Sequence, residues 1–402
     1  MAKTRQIVAS IFAAAALTAL AGCGVETRTG SNGTGISPPP EPAVASGPLT
    51  ALGPLGLAGA SLDDKTTQVL LNTSAGRSAS DLRLGMTANA NGAAAGDGSG
   101  TAYGAVVQSF VRGPATGVDA GANRLTVLTM KVRVDQNTLL QGVNSVGDVV
   151  TGDEVEVFGM PLPGNQGQLA TRIIVRRPPT STNVEVLGLI SEVGTASLVV
   201  QGIVVNFANA QIGTTAPGGL VFSPPADPNL LAPGVLIRVI GLYDPATRIL
   251  TAATVAARLS PSRPEGNLVF IEGFVRELTG AMDGRHFNLP DIEVDASPVS
   301  SAAGNIAAGT RVRVRGRMRS EILTADAIDI IDQAAQTGFV VDGEVTALTS
   351  LAAFEVRGER IDATQALFSG GNFSNLANGR RVRVKGIAGP GKLVASEVVF
   401  VN

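Results

Sequence analysis

One alternating segment, closed by glycine, recurs along this chain and constrains its fold more than any other feature. It reads DEVEVFG (Asp153 to Gly159), LIRVIG (Leu236 to Gly241), RVRVRG (Arg311 to Gly316) and RVRVKG (Arg381 to Gly386), with a weaker copy, TANANG, ending at Gly92. The glycines at 92, 159, 241, 316 and 386 therefore stand 67, 82, 75 and 70 residues apart. A second segment follows each of the four clear copies: GQLATRIIV, RILTAATVA, EILTADAIDI or KLVASEVVFV. Opening strands of similar character stand upstream, among them VRGPATGVD, VLGLISEVG, IEGFVRELTG and VDGEVTALTS. Runs this short, rich in Val and Ile and bounded by Gly, Pro, Asn or Asp, read as half-buried β-strands. In the recurring strand Val155 and Val157, Ile237 and Val239, Val312 and Val314, and Val382 and Val384 share the core face.

A period near 70 residues is too long for one coil of a solenoid and suits a small closed domain. About five strands in that length cannot leave long edges exposed, which predicts five-stranded barrels of the OB type. Sandwich-like pairing of neighbouring sheets is the alternative. The expected fold is all-β: five tandem OB-like repeats at 47–109 (divergent), 110–180, 181–264, 265–335 and 336–402, with a Pro-framed insertion at 212–234 in the third. A unit of about 65 residues buries only about 60% of its unfolded surface, so each core should be separate but small, and each barrel should lean on its neighbours.

The first 22 residues have the layout of a secretory signal, with Lys3 and Arg5 ahead of an apolar run from Ile7 to Leu20. That run ends in Leu20-Ala21-Gly22-Cys23, which resembles the lipobox of bacterial lipoproteins, and Cys23 is the one cysteine of 402 residues. The resemblance implies cleavage before Cys23 and a lipid on its sulfur, with Gly24 implying sorting to the outer membrane. Acyl chains hold a domain at a bilayer by about 0.8 kcal/mol per buried CH₂. Residues 23–46, rich in Gly, Ser, Thr and Pro, read as anchor and flexible tether.

The segment VRGPATGVDAGANRLTVLTMKVRVDQNT (111 to 138) and the V-x-V-x-G plus L-x-A closure resemble the bacterial domain of unknown function numbered 5666. The resemblance runs over residues 47–402, and the first copy departs from it in the recurring strand. It implies a β-barrel repeat at the cell envelope and carries over no catalytic residue.

Composition narrows the chemistry further. One His excludes a multi-His metal site, and every His-dependent mechanism would have to use His286, which has no Gly-x-Ser-x-Gly elbow with it. Neighbouring carboxylates such as Asp63 and Asp64, or Asp153 and Glu154, point to opposite faces of a strand and form no dyad by themselves. The Gly-rich 91–100 stretch lacks a phosphate-binding Gly-Lys-Ser/Thr. No cofactor is expected. With no Trp, two Tyr and near-balanced charge (31 basic, 33 acidic), nothing points to nucleic acid. The outward face of the recurring strand carries more information, because it changes sign between copies. It holds Glu154 and Glu156 in the second, then Arg311, Arg313 and Arg315, continued by Arg317 and Arg319, in the fourth, and Arg381, Arg383 and Lys385 in the fifth. These basic residues are the candidate anion-binding strip, unless partners such as Glu321, Asp326 or Asp329 neutralise them. The expected function is a non-enzymatic, membrane-anchored envelope module that binds an anionic polymer or a protein partner, or serves structurally. The alternative is a carboxylate-dependent envelope hydrolase.

Overall fold

The computed structural model describes residues 39–401 apart from 73, 165, 217–218, 223–229, 258–261, 280–284 and 300–305. The signal segment, Cys23 and the tether as far as residue 38 lie outside the described residues.

The recurring segment is a strand in every copy: Thr87–Ala94, Glu154–Pro161, Leu236–Asp244, Arg311–Arg319 and Arg381–Gly389. Each forms an antiparallel hairpin with the strand after it, and in each hairpin the register slips at the closing glycine. The reason is steric. A Cβ on Gly92, Gly159, Gly241, Gly316 or Gly386 would lie 2.0, 2.2, 2.0, 2.1 or 2.4 Å from a carbonyl oxygen of the facing strand. Only glycine permits that approach. The facing strand carries one extra residue there (Tyr103, Thr171, Ala253, Asp326 or Ser396), which is a β-bulge. The small alanine of the L-x-A pattern follows the crowding carbonyl, as in Ala252, Ala325 and Ala395.

The bulged hairpin closes a barrel. In the first copy β1 is Glu41–Leu52, β2 Leu55–Leu57, β3 Ala60–Asp63, β4 Gln68–Leu71, β5 Ser74–Ser78, β6 Thr87–Ala94 and β7 Ser99–Val107. β1 pairs antiparallel with β2, β2 with β3, and β6 with both β7 and β1. β3 and β4 run parallel to β7, so the ladder returns to its start. This is a small closed OB-like barrel. Among the described residues the same circuit closes within 111–176, 184–257, 268–330 and 339–400. We number these second to fifth.

Two further glycines recur. Gly85, Gly152, Gly234, Gly309 and Gly379 each stand seven residues before the closing glycine, with φ between +74° and +93°. Their N–H groups donate to Leu49, Ala115, Ile190, Val275 and Val345 of the opening strands at 2.7–2.9 Å. Three residues earlier a buried apolar side chain plugs the barrel end: Leu82, Val149, Leu231, Ile306 or Leu376. The third set lies in the opening strands. Gly47, Gly113, Gly188, Gly273 and Gly343 make room for the tip of the next hairpin, at Ala58, Leu128, Gln201, Pro290 and Arg357.

Neighbouring barrels share backbone ladders. β1 runs parallel to Leu268–Ile271 of the fourth barrel through Ala43–Ser46, and to Val340–Val341 of the fifth through Ala51–Leu52. Val111–Arg112 of the second barrel pairs antiparallel with Glu185–Val186 of the third. Two sequence expectations are corrected here. The tether does not extend to residue 46, because Glu41–Ser46 belong to β1 and are paired on both sides. The cores are not five separate ones: one apolar cluster joins the first and fifth barrels and takes in Leu139, Phe158 and Ile174 of the second and Leu268 and Phe270 of the fourth, another joins the second and third, and the interior of the fourth forms its own. Within the insertion, Leu230 and Leu231 are buried in the cluster of the second and third barrels. The side chains of Leu220, Val221 and Phe222 lie outside the described residues.

This division generates a test. Val314 and Val384 hold equivalent positions and are fully buried, but Val314 lies in the fourth barrel's own core and Val384 in the joint one. A buried unpaired charge costs several kcal/mol at either. Limited proteolysis of Val314→Asp should cut within 265–335, whereas Val384→Asp should also open 41–107. Identical cleavage patterns for the two variants would contradict the shared core.

Candidate functional site

The outer face of each barrel is built on one cross-strand position. The residue just before the opening glycine (Ser46, Arg112, Leu187, Glu272 or Asp342) faces Asn89, Glu156, Arg238, Arg313 or Arg383 of the recurring strand. Where the recurring strand is basic in the fourth and fifth barrels the facing residue is acidic, and where it is acidic in the second the facing residue is Arg112. The change of sign read along the sequence is thus a change of polarity in cross-strand ion pairs.

In the second barrel Arg112 and Arg176 both bond the buried Glu154, at 2.8 and 3.0 Å, and Arg176 also reaches Glu156 at 2.9 Å. The backbone N–H groups of Thr180 and Ser181 donate to Glu154 as well. Burial alone would raise the Glu154 pKa, but the bonds from Arg112 and Thr180 outweigh it and lower the value from 4.5 to about 2. Asp153 is held by Arg177. In the third barrel Arg238 is wholly buried, bonded to Glu185 at 3.0 Å and to the Ser109 carbonyl at 2.8 Å. Its burial pulls its pKa down against the opposing pull of Glu185.

The fourth barrel accounts for most of the predicted anion strip, and it does not leave that strip free. Arg311 and Arg313 share the buried Glu272, at 2.5 and 3.1 Å. Arg315 donates to the Gly96 carbonyl and Arg317 makes a two-pronged contact with Glu41, both in the first barrel. Arg317 thereby lowers the pKa of Glu41. Arg319 is exposed. The partners therefore include Glu272 and Glu41, while Asp326 is the exposed bulge residue. Four of the five arginines act within the protein, two of them joining barrels.

The fifth barrel repeats the arrangement in the open. The buried Asp342 binds Arg381 Nε at 2.9 Å through Oδ1 and Arg383 Nη2 at 2.9 Å through Oδ2. Yet Arg381 and Arg383 remain 54% and 47% exposed, against 6% and 30% for Arg311 and Arg313. Lys385 pairs with Glu397 at 2.8 Å. Beside Arg381 and Arg383 lies a cleft of about 740 Å³ between the first and fifth barrels, whose walls include Asp63, Asp64, Lys65, Glu344 and Arg357. Asp64 in that wall is ion-paired with Arg357 at 2.8 Å.

A second junction is buried. Arg172 of the second barrel bonds both oxygens of Glu359 in the fifth at 3.1 Å, together with the Leu84 carbonyl of the first and Gln141. Glu359 also accepts the Leu84 N–H at 2.7 Å. Three barrels meet on one ion pair. His286 is partly exposed and 3.6 Å from Asp295, and among the described residues no serine hydroxyl is bonded to it.

Sequence reading missed Glu272, Asp342, Arg172 and Glu359 as partners. The signal for the first two was present, an acid directly before the opening glycine in IEG and VDG, but its use required knowing which strands pair.

The family model of the domain of unknown function 5666 matches residues 112–174 and 342–399. These matches fall within the second and fifth barrels. A comparison with curated proteins finds no match. Among solved structures, the Drosophila chain described as "drosophila Unr CSD456" is 12% identical, over 54% of this chain and 96% of that one, with a TM-score of 0.14.

The Glu154 network makes stability depend on pH with a definite sign. Its folded pKa lies below the ordinary 4.5, so its contribution, about 3 kcal/mol, is complete above pH 4.5 and is lost as pH falls to about 2. Urea midpoints of wild type and Glu154→Gln should differ most near neutral pH and converge on acidification. A gap that stays constant down to about pH 2 would show that the ion pairs contribute nothing.

Proposed function

We propose that this chain is a lipid-anchored, non-enzymatic module of the bacterial cell envelope: a rigid array of five copies of one barrel domain that binds or spaces an envelope component. The copies are assigned to 47–109, with Glu41–Ser46 added to its first strand, and to 110–180, 181–264, 265–335 and 336–402. Cys23 carries the lipid, and the anchored leaflet belongs to the outer membrane. The observation that carries this reading is the use of charge. On the outer faces Glu272, Asp342 and Glu154 each hold two arginines, and Arg172 with Glu359 locks three barrels together. Such a design favours a fixed body over a moving one, and backbone ladders between barrels reinforce it.

A hydrolase relying on two carboxyls would need one kept protonated by a raised pKa. Among the described residues, the carboxylates whose pKa is displaced are all displaced downward, by arginine, lysine, serine, threonine or backbone donors and, for Asp295, also by His286. In the cleft between the first and fifth barrels, Asp64 and Asp342 are committed to Arg357 and to Arg381 with Arg383. This supports a binding or structural role over catalysis. The anionic-polymer reading narrows accordingly, from the whole strip to the fifth barrel.

Fractionation of cells tests the anchor. Cys23→Ser should move the chain from the membrane fraction to a soluble pool or leave it as uncleaved precursor. Unchanged processing and membrane association would overturn the proposal.

A further inference from the structure

The fourth and fifth barrels contain the same device in two environments. In each, one buried carboxylate grips two arginines spaced two residues apart on the recurring strand. In the fourth, the hairpin tip of the first barrel lies on the device, with Gly59 against the Arg313 side chain and Gly47 against Glu272. In the fifth, Arg381 and Arg383 line the cleft of about 740 Å³, a volume within the roughly 300–1,000 Å³ range of small-molecule sites. Their contacts with Asp342 use Nε and Nη2. Among the described residues no protein acceptor is bonded to Nη1 of either.

We propose that this cleft is a binding site for a carboxylated sugar unit, with Arg381 and Arg383 receiving its carboxylate. The proposal rests on the reading of the chain as a binding module and names its ligand class and place. Charge selects the anion. At the device two guanidiniums and one buried carboxylate leave one positive charge. Around it Asp63 pairs with Lys65 and Asp64 with Arg357, and the exposed Glu344 balances the lining as a whole. The local positive charge therefore suits a single carboxylate better than a phosphomonoester carrying about −1.5 to −2. Guanidinium geometry suits a planar carboxylate, and Asp342 fixes both side chains before the ligand arrives, which lowers the ordering cost of binding. The rest of the lining selects a hydroxyl-rich body over an apolar one: Ser61 and Ser78 offer hydroxyls, and Asp63 and Glu344 offer acceptors for sugar O–H groups. Nucleic acid fits poorly, since no aromatic side chain lines the cleft on which a base could stack.

Calorimetric titration of the purified full chain in detergent tests this, with trigalacturonate as the carboxylated probe, maltotriose as the neutral one and glucose 1-phosphate as the phosphorylated one. Trigalacturonate should bind at low salt and weaken as salt rises; maltotriose should not bind. Arg383→Ala, which leaves Asp342 paired with Arg381, should weaken trigalacturonate at least tenfold. Arg383→Lys, which keeps the charge but not the fork, should fall between the two, and Arg319→Ala should match wild type. Trigalacturonate binding unchanged in both Arg383 variants would overturn the site while leaving the binding-module reading in place. Tighter binding of glucose 1-phosphate than of trigalacturonate would overturn the carboxylate assignment. Failure of wild type to bind any of the three probes or a sulfated dextran would overturn the site and the binding-module reading together, whatever the fractionation of Cys23→Ser shows.

Discussion

At the crossing of the two closing strands in each barrel, a glycine backbone lies so near a carbonyl of the facing strand that a single added methyl group would stand 2.0–2.4 Å from its oxygen. Everything else in the fold depends on that contact. A flat two-stranded ribbon cannot reach both the first and the third strand of a five-stranded barrel. The bulge opposite the glycine adds the local twist and bend that let it do so. The glycine is required for the space it leaves and not for a left-handed φ, unlike the glycine seven residues earlier, whose φ near +80° aims its N–H at the opening strand. Space and dihedral freedom thus enter at separate positions, and both recur in every barrel.

Closure turns one face of each strand into core and leaves the other facing water or a neighbouring barrel. On that outer face, charge is handled by cross-strand pairing, and the sign is interchangeable. Glu154 on the recurring strand held by Arg112, and Arg313 on the recurring strand held by Glu272, solve the same problem with the polarity reversed. Burying an ion costs several kcal/mol unless it is paired and bonded. This explains why deeply buried members such as Glu272, Glu154, Asp342 and Arg238 each have charged partners in place. Specific geometry between barrels follows from the same rule, since Arg172 and Glu359 are satisfied only when the first, second and fifth barrels meet as they do.

Docking of barrels then makes copies of one motif unequal. The first barrel covers the Glu272 device and leaves the Asp342 device beside open space. Two arginine pairs that are chemically alike become a joint in one place and a cleft wall in the other. Small domains of this length bury too little surface to stand alone with ease, and sharing cores between the first and fifth and between the second and third supplies the missing burial.

The repeat was legible in the sequence because closure places the same demands on every copy: a glycine where strands collide, alternating valines such as Val312 and Val314 for the core, and turn residues at the ends. Local sterics and a period of two are properties of a short stretch, and a short stretch displays them. The seven-residue spacing from Gly85, Gly152, Gly234, Gly309 and Gly379 to the closing glycines was equally local and could have been read the same way. The fate of the arginines was not legible, because an ion pair is a relation between strands far apart in the chain. Arg311 and Glu272 are 39 residues apart, and Arg317 and Glu41 are 276 apart. By itself the sequence determined the strands, the barrel and the alternation of its faces. Only the tertiary structure decided which barrels touch, and so which of two identical arginine pairs is buried and which faces a cleft, because that choice depends on the sum of contacts across the whole surface.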